Sequence, residues 1–141
     1  MTGSIPKLPI LVVDDDEDYR ILVRHQLEAV GYVVLESMNA RGAFETLGEH
    51  HVPLVILDIV MPEVEGLEII RRLRRQGCRS KILAVSGVGK ADEYLQLAVR
   101  LGADARFEKS RPVSDLLGAV RGLMSGADGG PEPGCDGPAL G

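Results

Sequence analysis

The chain has 141 residues and a mass of 15.2 kDa, the usual size of one domain and long enough to bury a core without disulfides. Its 45% hydrophobic and 26% charged residues exclude a disordered chain, and its net charge of −5 disfavours a general binder of nucleic acid or anionic membranes. Two cysteines, Cys78 and Cys135, are too few for a disulfide framework, and no apolar run approaches the roughly 18 residues of a membrane span, so we expect thiols and a cytoplasmic location.

Five short segments are predicted β-strands. Three of them are uninterrupted apolar runs, which is typical of strands that are buried on both faces of a sheet. These runs are 10–13, 54–57 and 82–85. The segments 33–35 and 103–107 are shorter or more polar, so we expect them at the edges of the sheet.

Five amphipathic segments follow the strands one by one. Apolar residues recur in them with helical spacing over 19–30, 40–47, 66–73, 94–101 and 113–124. Asn39 is the predicted N-cap of the second helix, and Pro112 is suited to open the fifth. The third helix ends in four arginines, which we expect on a solvated face that complements the helix dipole: Arg71, Arg72, Arg74 and Arg75.

The alternation of strands and helices predicts a parallel sheet covered by helices on both faces. With the second and fifth strands at the edges, the expected fold is a flavodoxin-like, doubly wound (βα)5 α/β fold of strand order 2-1-3-4-5. Ligands then bind beyond the carboxyl ends of the first and third strands. Residues 1–125 form this domain, and the glycine- and proline-rich residues 126–141 are expected to be a disordered tail.

Chemically active side chains follow the predicted strands at their carboxyl ends. The first strand runs into residues 14–16, all aspartates, and the third into Asp58. Ser86 follows the fourth strand and Lys109 the fifth. Converging carboxylates repel one another, and a hard cation such as Mg²⁺ relieves that repulsion. A carboxylate beside such an ion can accept a phosphoryl group, whose oxygens a lysine and a hydroxyl would bind.

Four segments of the sequence resemble one known family. They are ILVVDDDEDYR (10–20), LVILDIVMPEVEGLEII (54–70), ILAVSGVGKADEYL (82–95) and LGADARFEK (101–109). In these segments the chain resembles the receiver domains of response regulators in two-component signalling. The most specific feature is the spacing Asp58-x-x-Met61-Pro62-x-x-x-Gly66, in register with the other three segments.

The resemblance implies a role for each residue of the predicted metal site. It implies that Asp58 is the phosphoacceptor, that Asp15 is a direct ligand of Mg²⁺, and that Asp14 acts mainly through water. The backbone carbonyl of Val60 is expected to complete the protein's share of the Mg²⁺ shell. Asp16 is expected to cap the first helix.

The resemblance also implies that Ser86 supplies the switch hydroxyl of the family and Lys109 its lysine. Three residues depart from the family pattern, and one of them is Arg111, which stands two residues after the lysine where an aromatic is common. Ser110 follows the lysine where receivers usually carry a proline after a cis peptide, and Arg106 takes the place of a switch aromatic. Since a cis peptide without proline costs about 2.5–4 kcal/mol, we expect a trans bond between Lys109 and Ser110.

The implied function is that of a stand-alone response regulator with no enzymatic activity beyond its own phosphorylation and dephosphorylation. Its expected partners are a sensor histidine kinase or a histidine phosphotransfer protein and an unknown downstream protein, without direct contact to nucleic acid or membrane. A monomer or weak homodimer is expected.

Two alternatives stay open. One is a magnesium-dependent phosphohydrolase with Asp58 as its nucleophile, which Val60 disfavours because such hydrolases of the haloacid-dehalogenase type carry an aspartate there. The other is a scaffold that acts without phosphorylation.

Overall fold

The computed structural model describes residues 8–61, 66–87 and 91–125, where five strands alternate with five helices. The strands are β1 (Ile10–Val13), β2 (Val34–Ser37), β3 (Leu54–Asp58), β4 (Lys81–Ser86) and β5 (Ala105–Glu108). The helices are α1 (Glu17–Ala29), α2 (Ala40–Glu49), α3 (Gly66–Arg75), α4 (Ala91–Leu101) and α5 (Val113–Ser125). Pro62 of the family motif and the predicted tail at 126–141 lie outside the described residues.

The strands form one parallel sheet in the order β2-β1-β3-β4-β5. This confirms the predicted flavodoxin-like, doubly wound fold. The register brings the carboxyl ends level: Val13 pairs with Leu57, and Asp58 pairs with Val85. The residues that follow β1, β3 and β4 therefore meet at one edge of the sheet.

The sheet separates two hydrophobic cores. Along β1, Ile10 and Val12 belong to one core, while Leu11 and Val13 belong to the other. The first core packs under α1 and α5, and the second packs under α2, α3 and α4. Both faces of the central strands are buried, which explains why their sequences show apolar runs without polar alternation.

The two edge strands differ in extent from the predicted segments. β2 begins one residue later than expected and continues through Ser37, because its pairing with β1 extends through the polar residues Glu36 and Ser37. β5 begins at Ala105 because the amide of Ala103 still donates to the carbonyl of Ala98, at 2.9 Å, and closes helix α4. Backbone pairing therefore decides these boundaries more than side-chain polarity does.

The predicted helix caps and the predicted trans bond are confirmed. The Asp16 carboxylate accepts hydrogen bonds from the amides of Asp18 and Tyr19, at 3.1 and 3.3 Å. The side chain of Asn39 accepts from the amide of Gly42 at 2.8 Å. No cis peptide occurs within 8–61, 66–87 and 91–125, so the bond after Lys109 is trans.

The expectation of thiols is wrong for Cys78, which is buried and disulfide-bonded. Cys135, the other cysteine of the chain, lies outside the described residues. The number of cysteines limits how many disulfides can form, but it does not decide whether one forms. Of the helices in the described part of the chain, none has the length and apolar character needed to cross a membrane.

The expectation of a solvated arginine face at the end of α3 is wrong for Arg74. Its guanidinium donates to the carbonyls of Gly102 at 2.9 Å, Cys78 at 2.7 Å and Ser80 at 2.9 Å, and it pairs with Asp104 at 2.9 Å. The stem of Arg74 fills the space beside Gly102, whose φ of 127° favours glycine. Arg74 therefore connects α3, α4 and the segments before β4 and β5.

We predict that Arg74→Leu lowers the free energy of unfolding by about 2–4 kcal/mol, because it leaves several partly buried carbonyl and carboxylate oxygens without their donor. Urea denaturation measures the loss. The matched control is Arg75→Leu in the same turn, where the side chain is exposed and a change below about 0.5 kcal/mol is expected. Equal losses in the two variants would contradict this account of Arg74.

Candidate functional site

Three carboxylates converge at the carboxyl edge of the sheet. Asp14 and Asp15 follow β1, and Asp58 ends β3. Asp14 is 2% exposed and Asp58 is 5% exposed, whereas Asp15 is open to solvent. One carboxylate oxygen of each residue lies within 4.8 Å of the others, which is close enough for all three to share one cation.

Lys109 brings an ammonium group into the same site. Its Nζ lies 2.9 Å from Asp14 Oδ2 and 3.4 Å from Asp58 Oδ2. The Lys109 amide donates to the carbonyl of Ser86 at 2.9 Å, which anchors the end of β5 to β4. A Cβ added at Gly87 would come within 3.1 Å of the lysine Cδ. The glycine therefore leaves the space through which the lysine stem passes.

Ser86 places a buried hydroxyl at this edge. It follows Val85, which pairs with Asp58, and it is fully buried. Its Oγ has no hydrogen-bond partner within the described residues. A buried hydroxyl without a partner costs roughly 1–3 kcal/mol, so Oγ is available to a group that enters the site.

Backbone contacts orient the two buried acids. The amide of Val60 donates to Asp58 Oδ1 at 3.0 Å, and the amide of Asp16 donates to Asp14 Oδ1 at 2.9 Å. Arg20 donates to the backbone carbonyl of Asp14 at 2.7 Å. Each acid thus has one oxygen held by an amide and the other facing Lys109. The metal-binding role of the Val60 carbonyl stays a prediction.

Gly66 explains why the motif around Asp58 ends in glycine. A Cβ added there would lie 2.4 Å from the carbonyl oxygen of Asp58 and 2.4 Å from the Cα of Ile59. Its amide donates to the carbonyl of Ile59 at 3.1 Å. The start of α3 therefore packs directly on the backbone of the predicted phosphoacceptor, and only glycine allows that approach.

Burial and neighbouring charges shift the ionisation of the site. The pKa of Asp58 is raised from 3.8 to about 6, mainly by burial and in part by the nearby Asp14, against the opposing effects of the Val60 amide and Lys109. Burial alone would lower the pKa of Lys109, but its contacts with Asp14 and Asp58 outweigh burial and raise that pKa. Lys109 is therefore charged at neutral pH.

The donor set fits a hard divalent cation. Three carboxylates face one ammonium, so the site carries an excess of negative charge when its acids are ionised. All the side-chain donors of this cluster are oxygens, which Mg²⁺ prefers over nitrogen or sulfur ligands.

The model of the response regulator receiver domain family matches residues 10–121. The chain belongs to this family. The receiver resembles the response regulator MprA of Mycobacterium sp. (strain KMS), with 33% identity over 93% of this chain and 56% of that protein. The chain therefore spans little more than half of that curated relative.

Two other relatives match this receiver over most of their own length. An uncharacterized 14.6 kDa protein of Leptolyngbya boryana is 36% identical over 84% of this chain and 91% of that protein. The solved signal receiver domain of a response regulator from Bermanella marisrubri is 33% identical, with a TM-score of 0.77, and covers 84% of this chain and 99% of that structure. The family resemblance and the fold inferred from the sequence are thus confirmed.

Sequence reasoning missed two residues that contact the site. Tyr19 begins the predicted helical segment 19–30 and fits its apolar spacing, yet its ring centroid lies 4.6 Å from Lys109 Nζ. Nothing in the local sequence around Gly87 indicates its contact with the side chain of Lys109. Each contact joins residues that are far apart in sequence. In the sequence, only the predicted alignment of the strand ends indicates that such residues lie close together.

We predict that Gly66→Ala lowers the free energy of unfolding by more than about 2 kcal/mol, because the added methyl group overlaps backbone atoms that cannot move independently. Chemical denaturation measures this change. Gly118→Ala in α5 is the control, because nothing lies within 4 Å of an added Cβ there and alanine is the better helix former. A Gly66→Ala protein as stable as wild type would contradict the proposed close packing.

The raised pKa of Asp58 predicts pH-dependent stability. Between about pH 4 and 6 the folded metal-free domain binds a proton that the unfolded chain releases, so stability falls as pH rises through this window. Asp58→Asn should therefore raise the free energy of unfolding by about 1–3 kcal/mol near neutral pH and by less near pH 4. Urea denaturation of metal-free protein at both pH values tests this, and equal gains would contradict it.

Proposed function

We propose that this receiver domain accepts a phosphoryl group on Asp58 from a phosphohistidine in a Mg²⁺-dependent reaction. The donor is a sensor histidine kinase or a histidine phosphotransfer protein. The observation that carries the proposal is the convergence of Asp14, Asp15 and Asp58 with the ammonium of Lys109 and the hydroxyl of Ser86, which has no partner among the residues that the structure describes.

The chain's own groups account for the transfer step. A carboxylate oxygen of Asp58 attacks phosphorus, and the bond from phosphorus to the imidazole nitrogen breaks with its electron pair left on that nitrogen. Oδ1 is held by the Val60 amide, and Oδ2 faces Lys109. The ammonium of Lys109 and the hydroxyl of Ser86 bind oxygens of the transferred group. The ammonium offsets the negative charge of these oxygens, and the hydroxyl donates a hydrogen bond to them.

Asp14, Asp15, Asp58 and the carbonyl of Val60 would hold the cation in this proposal. Bound Mg²⁺ supplies positive charge that neutralises the carboxylates and the phosphoryl oxygens. The support is the close approach of three carboxylate oxygens, two of them from buried residues.

The two alternatives receive less support. A phosphohydrolase of the haloacid-dehalogenase type needs an acid two residues beyond its nucleophile, and Val60 has no proton to exchange. A scaffold that works without phosphorylation has no use for buried, mutually repelling carboxylates, which cost folding stability. The domain therefore catalyses only its own phosphorylation and dephosphorylation in this proposal.

We further propose that the phosphorylated receiver signals by binding a protein or by passing the phosphoryl group onward, in the cytoplasm and as a monomer or weak homodimer. The length of the Leptolyngbya boryana relative supports a receiver that acts without an attached effector. Arg106 pairs with Asp92 at 2.9 Å and joins β5 to α4 through an exposed ionic contact. A partner on this face meets charge where the family usually presents an aromatic ring.

The test is phosphorylation by phosphorylated histidine kinases, detected as a mass gain of one phosphoryl group. We expect transfer to wild type in the presence of Mg²⁺, none after chelation, and none to Asp58→Asn. The control is Asp18→Asn, which changes an exposed aspartate near the site and should leave the transfer unchanged.

Phosphorylation of Asp58→Asn at the wild-type rate would contradict the assignment. Turnover of a phosphomonoester by the wild-type domain would favour the hydrolase. Partner binding that is the same with and without phosphorylation would favour the scaffold.

A further inference from the structure

Tyr19 lies in the first turn of α1 with its ring against the ammonium of Lys109. The distance from Lys109 Nζ to the ring centroid is 4.6 Å, within the range of a cation–π interaction. The N-cap fixes the backbone of this residue, because the amide of Tyr19 donates to the carboxylate of Asp16 at 3.3 Å. The ring also packs against the core under α1 and α5. Its place beside the lysine is thus set by the fold.

We propose that Tyr19 is a positioning residue whose ring holds the Lys109 ammonium ready for the phosphoryl group on Asp58. This inference rests on the proposed phosphorylation of Asp58. Within the described residues, the lysine head contacts carboxylate oxygens and this ring, while its stem passes Gly87.

The ring differs from the carboxylates in one chemical respect. A cation held by Asp14 and Asp58 would draw on the same carboxylate groups that pair with Lys109, so it would weaken the ion pairs of the lysine. An aromatic face is not a ligand for Mg²⁺. The contact with Tyr19 therefore persists when the cation is bound, and it keeps the ammonium from moving out into water.

The ring acts in this contact, and the hydroxyl does not. The Oη atom of Tyr19 is buried and has no hydrogen-bond partner in the part of the chain that the structure describes. Burial also raises the pKa of Tyr19, so the phenol is neutral and forms no ion pair with Lys109. Phenylalanine keeps the aromatic face and removes only the hydroxyl, which makes Tyr19→Phe the conservative variant.

The first test compares phosphorylation rates with a small-molecule donor, phosphoramidate, so that no protein partner contributes. We expect Tyr19→Leu to react roughly 2- to 30-fold more slowly than wild type, the range expected from one partly buried cation–π contact. Tyr19→Phe should keep the wild-type rate. Tyr94→Leu is the matched control, since it removes an exposed ring on α4. A wild-type rate in Tyr19→Leu would overturn the inference.

Two further measurements separate positioning from a general loss of structure. The ring should shift the NMR signals of the Lys109 ε-methylene upfield in wild type and Tyr19→Phe, and this shift should vanish in Tyr19→Leu. In a Lys109→Ala background, Tyr19→Leu should cause no further loss of rate, because the two residues act as one unit. A full further loss there, or no difference in the methylene shift, would overturn the inference.

The same experiments distinguish this inference from the proposed function. If phosphoramidate phosphorylates wild type and Asp58→Asn equally, the proposed phosphoacceptor is wrong, and the role of Tyr19 in phosphorylation falls with it. If Asp58→Asn is inert while Tyr19→Leu reacts like wild type, the proposed function stands and only the role of Tyr19 is wrong.

Discussion

The ammonium of Lys109 lies between Asp14 and Asp58, and the arrangement of the site depends on this contact. Both carboxylates are buried, and they repel each other. Hydrogen bonds from backbone amides alone do not offset the cost of removing these two charges from water. The lysine supplies the opposing charge at 2.9 and 3.4 Å. Burial raises the pKa of Asp58 despite this ion pair, so a further positive charge would stabilise the ionised site.

The parallel sheet brings these charged groups together. Its central strands send alternate side chains into two different cores, so both faces are covered by helices. Polar side chains of these strands accordingly lie at their ends, and a parallel arrangement puts the carboxyl ends of β1, β3 and β4 at one edge. The burial that stabilises the fold is thus the reason why the reactive groups converge.

The sequence predicts the central strands, the helix caps and the convergence of acids because each depends on local spacing or on the topology rule for parallel strands. The roles of Arg74 and Tyr19 could not be predicted in this way. Arg74 looks like one of four similar arginines, and only its contacts with residues far along the chain distinguish it. Tyr19 fits the apolar stripe of α1 equally well whether or not Lys109 lies beside it.

The narrow space beside Gly87 links two positions that are far apart in sequence. The stem of Lys109 fills that space so closely that even a methyl group at position 87 would meet it at 3.1–3.2 Å. Over evolutionary time the two positions are therefore constrained as a pair. A methyl group at 87 requires the lysine stem to shift by a few tenths of an ångström, and a larger side chain requires a larger shift that moves the ammonium with it. Replacement of this glycine by a bulkier residue in a descendant of the sequence would therefore change the path along which the lysine reaches the site.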